Sequence, residues 1–418
     1  MDSDTPDAIA TDDIAPGAFN PFEPGFAQDP YSQYAAIRAQ GRSQRTMLGA
    51  LLLSHYEDCF TLLRLPGTSV DDRNANQVIR QPLPPEFEEF QNEDRRTILD
   101  IDPPDHTRLR RLMSSAFTVR QVERLRPRVQ ALVAGLLDEM AQAGRAGEPV
   151  DLIARFAFPL PFVVISELLG MPEGDRVQLR SWSHTMTKSL EPLMDPNDFG
   201  EVIAASQNML AHLEAAIEWK RANPADDVLS GLIAAEQDGD RLSPEELISQ
   251  VMLLYVAGHE TTVNLIGNGT LALLRHRDQL ERLAGDPALD APAVDELLRY
   301  DSPVQMSRRI VTAETELAGE TVQPGELVLT LLGSANRDEG HWGPTAGELD
   351  LGRQGASALL SFGGGVHHCL GAALARLEGA EAIPALIRRF PNVELVTDEP
   401  AWNGRFILRG LDSLPVAV

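Results

Sequence analysis

The sequence SPEELISQVMLLYVAGHETTVNLIGNGTLALLRH, residues 243–276, predicts one long helix. Ser243 is a favourable N-cap, Pro244 suits the first helical position, and Glu246 completes a capping box three residues after the cap. Apolar residues then recur at three- and four-residue steps as far as Arg275. At 1.5 Å per residue this helix would be roughly 48 Å long, enough to cross a whole domain. We therefore expect it to be the central helix of the fold.

Halfway along this helix, the segment AGHETT at residues 257–262 replaces good helix formers. A glycine inside a helix costs about 1 kcal/mol relative to alanine, so Gly258 needs a structural or functional reason. One reason is the close approach of a flat ligand to the backbone. The other is tight packing against a neighbouring helix, with Glu260 and Thr261 merely solvated. The segment by itself leaves both interpretations open.

Outside this helix, apolar residues recur with a helical period over three long segments, and β-branched residues cluster in two later ones. The helical segments are residues 105–144, 174–190 and 198–223, and the strand-like segments are residues 308–332 and 405–418. The pattern predicts a mainly α fold with a small β portion. A chain of 418 residues forms either two domains or one large helical domain.

The composition excludes several classes of function. With 36 basic and 62 acidic residues, the formal charge of −26 argues against binding to nucleic acid or to an anionic membrane surface. The chain opens with the acidic MDSDTPDAIATDD rather than with a basic leader. Its longest apolar runs, MLGALLL and FAFPLPFVVI, fall short of the roughly 20 residues that a membrane helix needs. We therefore expect a cytoplasmic protein without a membrane anchor.

The two cysteines, Cys59 and Cys369, cannot supply a four-thiolate zinc site or a disulfide framework. Cys59 lies among helix formers and is expected to be an inert core thiol. Cys369 lies in SFGGGVHHCLG, residues 361–371, after three glycines and at the start of an apolar helix, where a thiolate is favoured. A nucleophile with His367 or His368 as its base is one interpretation, although adjacent positions on a tight loop disfavour that geometry. Axial ligation of haem suits a single thiolate better.

Four patterns, in order along most of the chain, resemble the cytochrome P450 family, in particular its soluble bacterial haem-thiolate monooxygenases. They are His106-x-x-x-Arg110, AGHETT at residues 257–262, Glu296-x-x-Arg299 with ANRD at residues 335–338 and Arg353, and FGxGxHxCxG at residues 362–371. One such motif is weak evidence, whereas four in order are specific. The resemblance implies a single large triangular domain over residues 1–418, in which the central helix crosses over the haem. Residues 1–30, which are proline-rich in APGAFNPFEPGFAQDP, are then a surface strap.

The resemblance implies haem b, iron protoporphyrin IX, as the cofactor, with the Cys369 thiolate as its metal ligand. The implied cofactor-binding residues are His106, Arg110, Ala257, Gly258, Arg309, Phe362, Gly363, His367 and Gly371. The first two lie four apart, share a helix face and can meet one carboxylate, which by resemblance is a haem propionate. Arg309 and His367 occupy the family's other propionate positions, and the adjacent Arg308 is the alternative to Arg309. Phe362 is implied to pack near the sulfur.

The implied activity is activation of O2 and insertion of one oxygen atom, by hydroxylation or epoxidation, into an apolar small molecule in bacterial secondary metabolism. The implied catalytic residues are Glu260, which relays protons from solvent, and Thr261, which holds the proton network. The charge cluster of Glu296, Arg299 and Arg353 is expected to be structural.

By resemblance, the substrate pocket includes residues 68–96, the lid SLEPLMDPND at residues 189–198, Ala257, Val304 and Ile407. These positions are mainly apolar or uncharged, so we expect a terpenoid, steroid, fatty acyl chain or macrolide rather than a charged substrate.

Electrons are expected from NAD(P)H through a separate ferredoxin or flavodoxin and its reductase, because the chain has no G-x-G-x-x-G fingerprint and no second cysteine cluster. Arg108, Arg111 and Arg376 are predicted to form a basic patch for this acidic partner, against the alternative of ordinary solvated helix faces. Two other functions stay open. A haem-binding sensor or carrier has no need of the Glu260 and Thr261 pair. A non-oxygenating or peroxide-driven member of the family usually lacks that pair, which this chain retains.

Overall fold

The computed structural model describes residues 17–46, 49–76, 96–145, 147–171, 176–191, 195–237 and 240–418. Helices make up most of the described chain, and their bounds are α1 Pro30–Gln40, α2 Tyr56–Leu62, α3 Asp105–Ala116, α4 Val119–Arg124, α5 Arg126–Gly144, α6 Pro159–Leu168, α7 Arg176–Met186, α8 Phe199–Ala222, α9 Val228–Ala234, α10 Pro244–Arg275, α11 Arg277–Gly285, α12 Asp290–Tyr300, α13 Leu332–Ala335, α14 Glu339–Trp342 and α15 Ala372–Arg389. The prediction of a mainly α fold with a small β portion is confirmed. The first sixteen residues of the predicted strap lie outside the described residues.

The strands are short, and their bounds are β1 Ser43–Arg45, β2 Leu51–Leu53, β3 Thr68–Ser69, β4 Val150–Asp151, β5 Glu236–Gln237, β6 Asp240–Arg241, β7 Met306–Val311, β8 Thr315–Leu317, β9 Glu320–Val322, β10 Leu327–Leu331, β11 Glu394–Leu395, β12 Ala401–Trp402, β13 Leu411–Ser413 and β14 Pro415–Ala417. The largest sheet has five strands in the order β1-β2-β10-β7-β3. Only β2 and β10 run parallel in it. A three-stranded sheet and three two-stranded ones complete the β portion of the described chain.

The predicted central helix is α10. It has 32 residues and begins with the predicted capping box, in which the Ser243 hydroxyl accepts from the Glu246 N–H and the Glu246 carboxylate accepts from the Ser243 N–H. Its middle and second half are buried in the main hydrophobic core, between α6, α8, α12 and α15. No helix of the described residues is long and apolar enough to cross a membrane.

The long helical segment predicted for residues 105–144 is divided into α3, α4 and α5. Thr118 starts α4 with a second capping box, since its hydroxyl accepts from the Gln121 N–H and the Gln121 side chain accepts from the Thr118 N–H. Pro127 then lies in the first turn of α5, where a missing N–H carries no penalty. Periodicity alone does not report these breaks, because all three helices place apolar residues on the core side.

The structural charge cluster forms as expected. Arg299 on α12 is fully buried and makes two hydrogen bonds to the Glu296 carboxylate, at 2.7 and 2.8 Å. Arg353 donates to the same carboxylate at 3.1 Å. The remaining Arg299 donors reach the carbonyl oxygens of Asn336 and Ala346, both at 2.7 Å, and of Glu348 at 2.9 Å. The cluster thereby ties α12 to the chain that leads into the cysteine loop.

Candidate active site

The backbone of the cysteine loop requires glycine at defined positions. Gly363 and Gly365 have positive φ angles of 67° and 65°. A Cβ on Gly365 would lie 2.2 Å from the carbonyl oxygen of Leu63, so the protein itself requires glycine there. A hydrogen bond of 2.9 Å from the Cys369 N–H to the Phe362 carbonyl oxygen closes the loop. The Phe362 ring lies under the Arg376 guanidinium, with 4.5 Å from Cζ to the ring centroid.

The Cys369 thiol lies deep in the protein and still has accessible surface, so it faces an internal space rather than the exterior. Burial raises the pKa of this thiol. The N–H groups of Gly371 and Ala372, before and at the start of α15, and the charges of Arg110 and Arg376 act in the opposite direction. These four groups favour negative charge on sulfur, which is the form that binds a metal.

Four predicted contacts, His106, Arg110, Arg309 and His367, form a basic cluster beside this loop. The ring centroids of His106 and His367 are 4.2 Å apart. His106 is buried, and neither of its ring nitrogens has a hydrogen-bond partner in the described part of the chain. Arg110 donates to the His368 carbonyl oxygen at 2.6 Å. Neither arginine of the cluster has an ion pair with a described carboxylate, so both keep their charge available for an anion.

The electrostatics of this basic cluster support the same conclusion. Burial lowers the pKa of His106, and it brings the pKa of His367 to about 4 and that of Arg309 to about 10. Neighbouring positive charges act in the same direction on each of the three, and only the Asp102 carboxylate opposes them on all three. A bound anion would relieve this excess of positive charge.

The structure distinguishes the two adjacent arginines on β7. Arg308 forms an ion pair with Asp72 at the surface, and its side chain is 41% exposed. Arg309 is buried and donates to the Arg308 carbonyl oxygen at 2.6 Å. Successive side chains of a strand point to opposite faces, so only one of the two reaches the basic cluster. Arg309 is the residue that does.

Three small residues of AGHETT form an accessible patch on the otherwise buried second half of α10. Ala257, Gly258 and Thr261 retain accessible surface, whereas residues 262–273 are all buried. The Thr261 hydroxyl donates to the Ala257 carbonyl oxygen at 2.9 Å. A Cβ on Gly258 would meet only Ile165, at an ordinary contact distance of 3.7 Å. Helix packing therefore does not require this glycine, and the ligand interpretation of the segment is favoured.

Glu260 is only 4% exposed and has two basic side chains as partners. Its Oε2 lies 3.3 Å from His184 Nδ1 on α7, and its Oε1 accepts from Arg405 Nη1 at 3.4 Å. Burial by itself raises the pKa of Glu260, but the hydrogen bond to His184 and the charges of His184, Arg405 and His259 outweigh it and lower the pKa. A buried, ionised acid thus lies next to Thr261. The His184 side chain is 44% exposed and connects this acid to the surface.

His259, between Gly258 and Glu260, received no role from the sequence. Its Nε2 lies 3.1 Å from the Phe158 carbonyl oxygen, and its Nδ1 has no partner among the described residues. Burial lowers the pKa of His259 to about 4, so the ring is neutral near pH 7. His259 packs on the far side of α10, against α6 and the turn before it.

The sequence analysis missed His184 and Arg405 as partners of Glu260. They lie 76 and 145 residues away from it in the chain, so no local spacing relates them. An arginine just before the strand-like end of the chain is also an ordinary surface residue by pattern. Only the packing of α7 and of the C-terminal loop against α10 brings the three side chains together.

The predicted substrate-pocket residues are described in part. Residues 77–95 and 192–194 of the predicted lining and lid lie outside the described residues. Val304 forms a β-bridge with Leu408, and the Gln305 N–H donates to the Ile407 carbonyl oxygen at 2.9 Å. These two segments are therefore neighbours. The side chains of Val304 and Ile407 pack against different clusters, so their joint contact with a substrate stays a prediction.

The predicted basic patch is balanced locally by acids. Arg108 forms ion pairs with Glu246 and Asp240, and Arg376 donates to Asp295 at 2.7 Å. Two of the three predicted arginines are thus neutralised within the chain. The structure favours the alternative of ordinary helix faces for Arg108 and Arg376 over a free patch of positive charge.

Taken as a donor set, these residues fit the haem that the resemblance implies. One thiol has accessible surface, a partly buried basic cluster with the orphaned nitrogens of His106 is suited to carboxylates, and small residues of α10 form an accessible patch. No group of three or more His, Cys, Asp or Glu side chains in the described part of the chain forms a separate metal site.

Comparisons with known proteins agree with this arrangement. A family model described as Cytochrome P450 matches residues 72–286 and 287–404. Cytochrome P450 107B1 of Saccharopolyspora erythraea is 43% identical over 403 residues, which are 94% of this chain and 96% of that protein. Vitamin D(3) 25-hydroxylase of Pseudonocardia autotrophica is 41% identical over 407 residues, 95% of this chain and 96% of that protein. The solved structure of the bacillaene polyketide synthase cytochrome P450 PksS of Bacillus subtilis has a TM-score of 0.84 and 38% identity, covering 95% of this chain and 99% of that one.

Proposed function

The chain belongs to the cytochrome P450 family and is a monooxygenase of that family, and we propose that it inserts one atom of O2 into an apolar small molecule by hydroxylation or epoxidation. The observation that carries this proposal is the buried, ionised Glu260 beside the accessible Thr261 on α10. A haem-binding sensor or carrier has no need of an acid and an alcohol at this place. The pair also argues against a peroxide-driven member of the family, because peroxide already brings its protons.

Haem b would supply the activation of O2 and the transfer of oxygen. The Cys369 thiolate would hold its iron, stabilised by the N–H groups of Gly371 and Ala372. The basic cluster of His106, Arg110, Arg309 and His367 would bind its propionates through charge-assisted hydrogen bonds. Phe362 would shield the sulfur from one side, with Arg376 stacked on its ring. Ala257 and Gly258 leave room on α10 for a flat group.

The protons come through this chain's own side chains. Glu260 is ionised near pH 7, so it can take a proton at Oε2 from the His184 side and pass it on toward the Thr261 hydroxyl. Thr261 donates its own proton to the Ala257 carbonyl oxygen, which leaves its Oγ1 lone pairs oriented to accept a further hydrogen bond. Burial of Glu260 limits the water around it, so proton delivery is confined to this path.

An apolar substrate is supported by the residues on the accessible side of α10, of which Leu253, Leu254 and Ala257 are uncharged and partly accessible. Relatives point the same way, since one is named a vitamin D(3) hydroxylase and another belongs to a polyketide synthase system. We infer a bulky hydrophobic metabolite, such as a polyketide, steroid or terpenoid. Electrons from NAD(P)H would arrive through a separate ferredoxin or flavodoxin and its reductase. The cytoplasmic location stays a prediction from the sequence.

The haem assignment is tested by the reduced, carbon-monoxide-bound protein. We expect the strongly red-shifted absorption of thiolate-ligated haem, its loss in Cys369→Ala, and its retention in Cys59→Ala, because Cys59 is a buried thiol that donates to the Leu53 carbonyl oxygen. Persistence of the band in Cys369→Ala would refute the ligand assignment. A spectral screen against apolar metabolites, read as the low-spin to high-spin shift, then selects substrates. Binding without any NAD(P)H-dependent product would favour the sensor or carrier.

A further inference from the structure

Arg405 lies where the C-terminal turn of α7, the loop at residues 403–408 and α10 meet. Its Nη1 donates to Thr187 Oγ1 at 2.6 Å and to Glu260 Oε1 at 3.4 Å. The side chain is only 12% exposed. We propose that Arg405 is a positioning residue for Glu260, which it orients and keeps ionised inside the protein. This inference rests on the proposed role of Glu260 in proton delivery.

The loop that carries Arg405 is itself fixed. The Glu191 carboxylate accepts from the N–H groups of three consecutive residues, at 3.3 Å from Phe406, 3.2 Å from Ile407 and 3.0 Å from Leu408. Burial raises the pKa of Glu191, while these three N–H groups and the charge of Arg405 act against that increase. Glu191 follows directly after the short turn that contains Thr187. The Glu191 carboxylate and the bond from Arg405 to Thr187 therefore connect the same two segments, the turn after α7 and the loop at residues 403–408. These contacts hold Arg405 near α10.

The other charged groups around Glu260 do not replace Arg405. His184 on α7 is charged only when it is protonated. His259 on α10 is neutral near pH 7, because burial lowers its pKa to about 4. Arg180 on α7 stacks on the Phe158 ring, 3.9 Å from Cζ to the centroid, and forms no ion pair with Glu260. Among the described residues, Arg405 is therefore the permanent cation within reach of Glu260.

The two hydrogen-bond lengths of Arg405 suit a residue that orients Glu260 without holding it in a tight ion pair. Charge-assisted hydrogen bonds between arginine and carboxylate are usually about 2.7–2.9 Å long. The bond from Arg405 to Thr187 is in this short range at 2.6 Å, whereas the contact with Glu260 is 3.4 Å. The longer contact thus leaves Glu260 able to gain and lose a proton, while the Glu191 carboxylate holds the loop that carries Arg405. Without Arg405, burial would raise the pKa of this carboxyl, which is 4% exposed, against the opposition of His184 and His259 alone.

The protonated-carboxyl infrared band of the haem-loaded protein at pH 7 tests this inference. In the wild type, Glu260 contributes no such band. Arg405→Gln should add one band of a buried carboxylic acid, the double variant Arg405→Gln/Glu260→Gln should lose it, and Arg405→Lys should restore the wild-type spectrum. Glu378 is an internal reference, because burial raises its pKa well above the usual range and its carboxyl oxygens have no partner in the described chain.

Thr187→Val is the matched control, since it removes the other acceptor of Arg405 and leaves the Glu260 contact. We expect its spectrum to be unchanged. A new band in Thr187→Val would assign the role to the hydroxyl instead, and a folded, haem-loaded Arg405→Gln without the added band would overturn the inference. If Arg405→Gln does not fold, the double variant Arg405→Gln/Glu260→Gln decides, because removing the buried acid that lost its cation should restore folding, and a double variant that also fails to fold contradicts the inference.

The spectrum separates this inference from the proposed function. A protein with the added band in Arg405→Gln but no turnover in the wild type contradicts only the monooxygenase proposal. If the wild type forms product but Arg405→Gln shows no added infrared band, only the role of Arg405 is contradicted. In an active enzyme, Arg405→Gln should lower product formation roughly tenfold, less than the 10²–10⁴-fold loss typical of a missing general acid.

Discussion

Two buried glutamates in this molecule have the same kind of partners and different geometry. Glu296 accepts from Arg299 at 2.7 and 2.8 Å, from Arg353 at 3.1 Å and from the Asp350 N–H at 2.9 Å. Glu260 has His184 at 3.3 Å and Arg405 at 3.4 Å. The first carboxylate is saturated by short bonds, and the second has two long ones.

The two geometries allow the two carboxylates to behave differently. Around Glu296, Arg299 is 0% exposed and its spare donors reach backbone carbonyl oxygens, so the carboxylate cannot move without breaking the cluster. Around Glu260, the His184 side chain is 44% exposed, and the long contacts cost little to rearrange. A saturated buried ion pair fixes structure, whereas a loosely paired one can titrate. Urea unfolding therefore tests the Glu296 site, and the ratio of product formed to NAD(P)H consumed tests the Glu260 site.

We expect the largest loss of stability when the Glu296 cluster is broken. Arg299→Ala leaves the Glu296 carboxylate buried without its main partner, and we expect it to lower the free energy of unfolding by about 3–5 kcal/mol. Urea unfolding, together with haem retention, measures this. Arg282→Ala is the matched control, because Arg282 and Asp350 are 46% and 48% exposed and such a pair contributes at most about 1 kcal/mol. Equal losses in the two variants would contradict the structural role of Arg299.

The same contrast explains what could be predicted from the sequence. Glu296 and Arg299 are three residues apart on one helix, and Ser243 and Glu246 form their capping box within one turn, so local spacing predicted both contacts. The partners of Glu260 come from 76 and 145 residues away and depend on packing. The sequence therefore predicted the acid and not the residues that control it.

The sequence also does not show which neighbour makes a glycine necessary. In the cysteine loop, Gly365 is required by the nearby carbonyl oxygen of Leu63, which would lie 2.2 Å from an added Cβ. Gly258 shows the opposite result, because a Cβ there would meet only Ile165 at 3.7 Å, and the ligand interpretation is strengthened. Which neighbour a glycine accommodates depends on the tertiary structure. A motif alone does not report it.

His259 on α10 should also contribute to the pH dependence of stability. Burial gives His259 a pKa of about 4, whereas a histidine in the unfolded chain titrates near about 6.5. Between these values the unfolded chain binds the proton and the folded protein does not. The contribution of His259 is thus intact above about pH 6.5 and is lost as the pH falls to about 4, by roughly 3 kcal/mol in total.

Urea midpoints measured from pH 7 to pH 4 check this, with His259→Gln expected to flatten the decline. Gln can keep a hydrogen bond to the Phe158 carbonyl oxygen and does not titrate. An unchanged slope in His259→Gln would show that other groups cause the decline. Any loss of stability in His259→Gln at neutral pH is interpreted separately, because it comes from changed packing against α6 and not from titration.

We expect a change at Thr261 to have the smallest effect on stability and a specific effect on product formation. Thr261→Val removes the hydroxyl that donates to Ala257 at 2.9 Å and keeps the side-chain shape, so the free energy of unfolding should change by less than about 1.5 kcal/mol. Thr262→Val is the matched control, because Thr262 is 3% exposed, faces the core, and has its hydroxyl 3.5 Å from the Gly258 carbonyl oxygen. Product formed per NAD(P)H consumed is the quantity to compare.

We expect that ratio to fall roughly tenfold in Thr261→Val, with peroxide released instead, and to stay near the wild type in Thr262→Val. The physical reason is that reduction continues while the last hydroxyl before the reaction site no longer controls protonation. Equal ratios in both variants would mean that Thr261 only caps its own helix turn, and the comparison between a structural and a titrating carboxylate would then rest on Glu260 alone. A fall in both would place the effect in the packing of α10 rather than in the accessible hydroxyl.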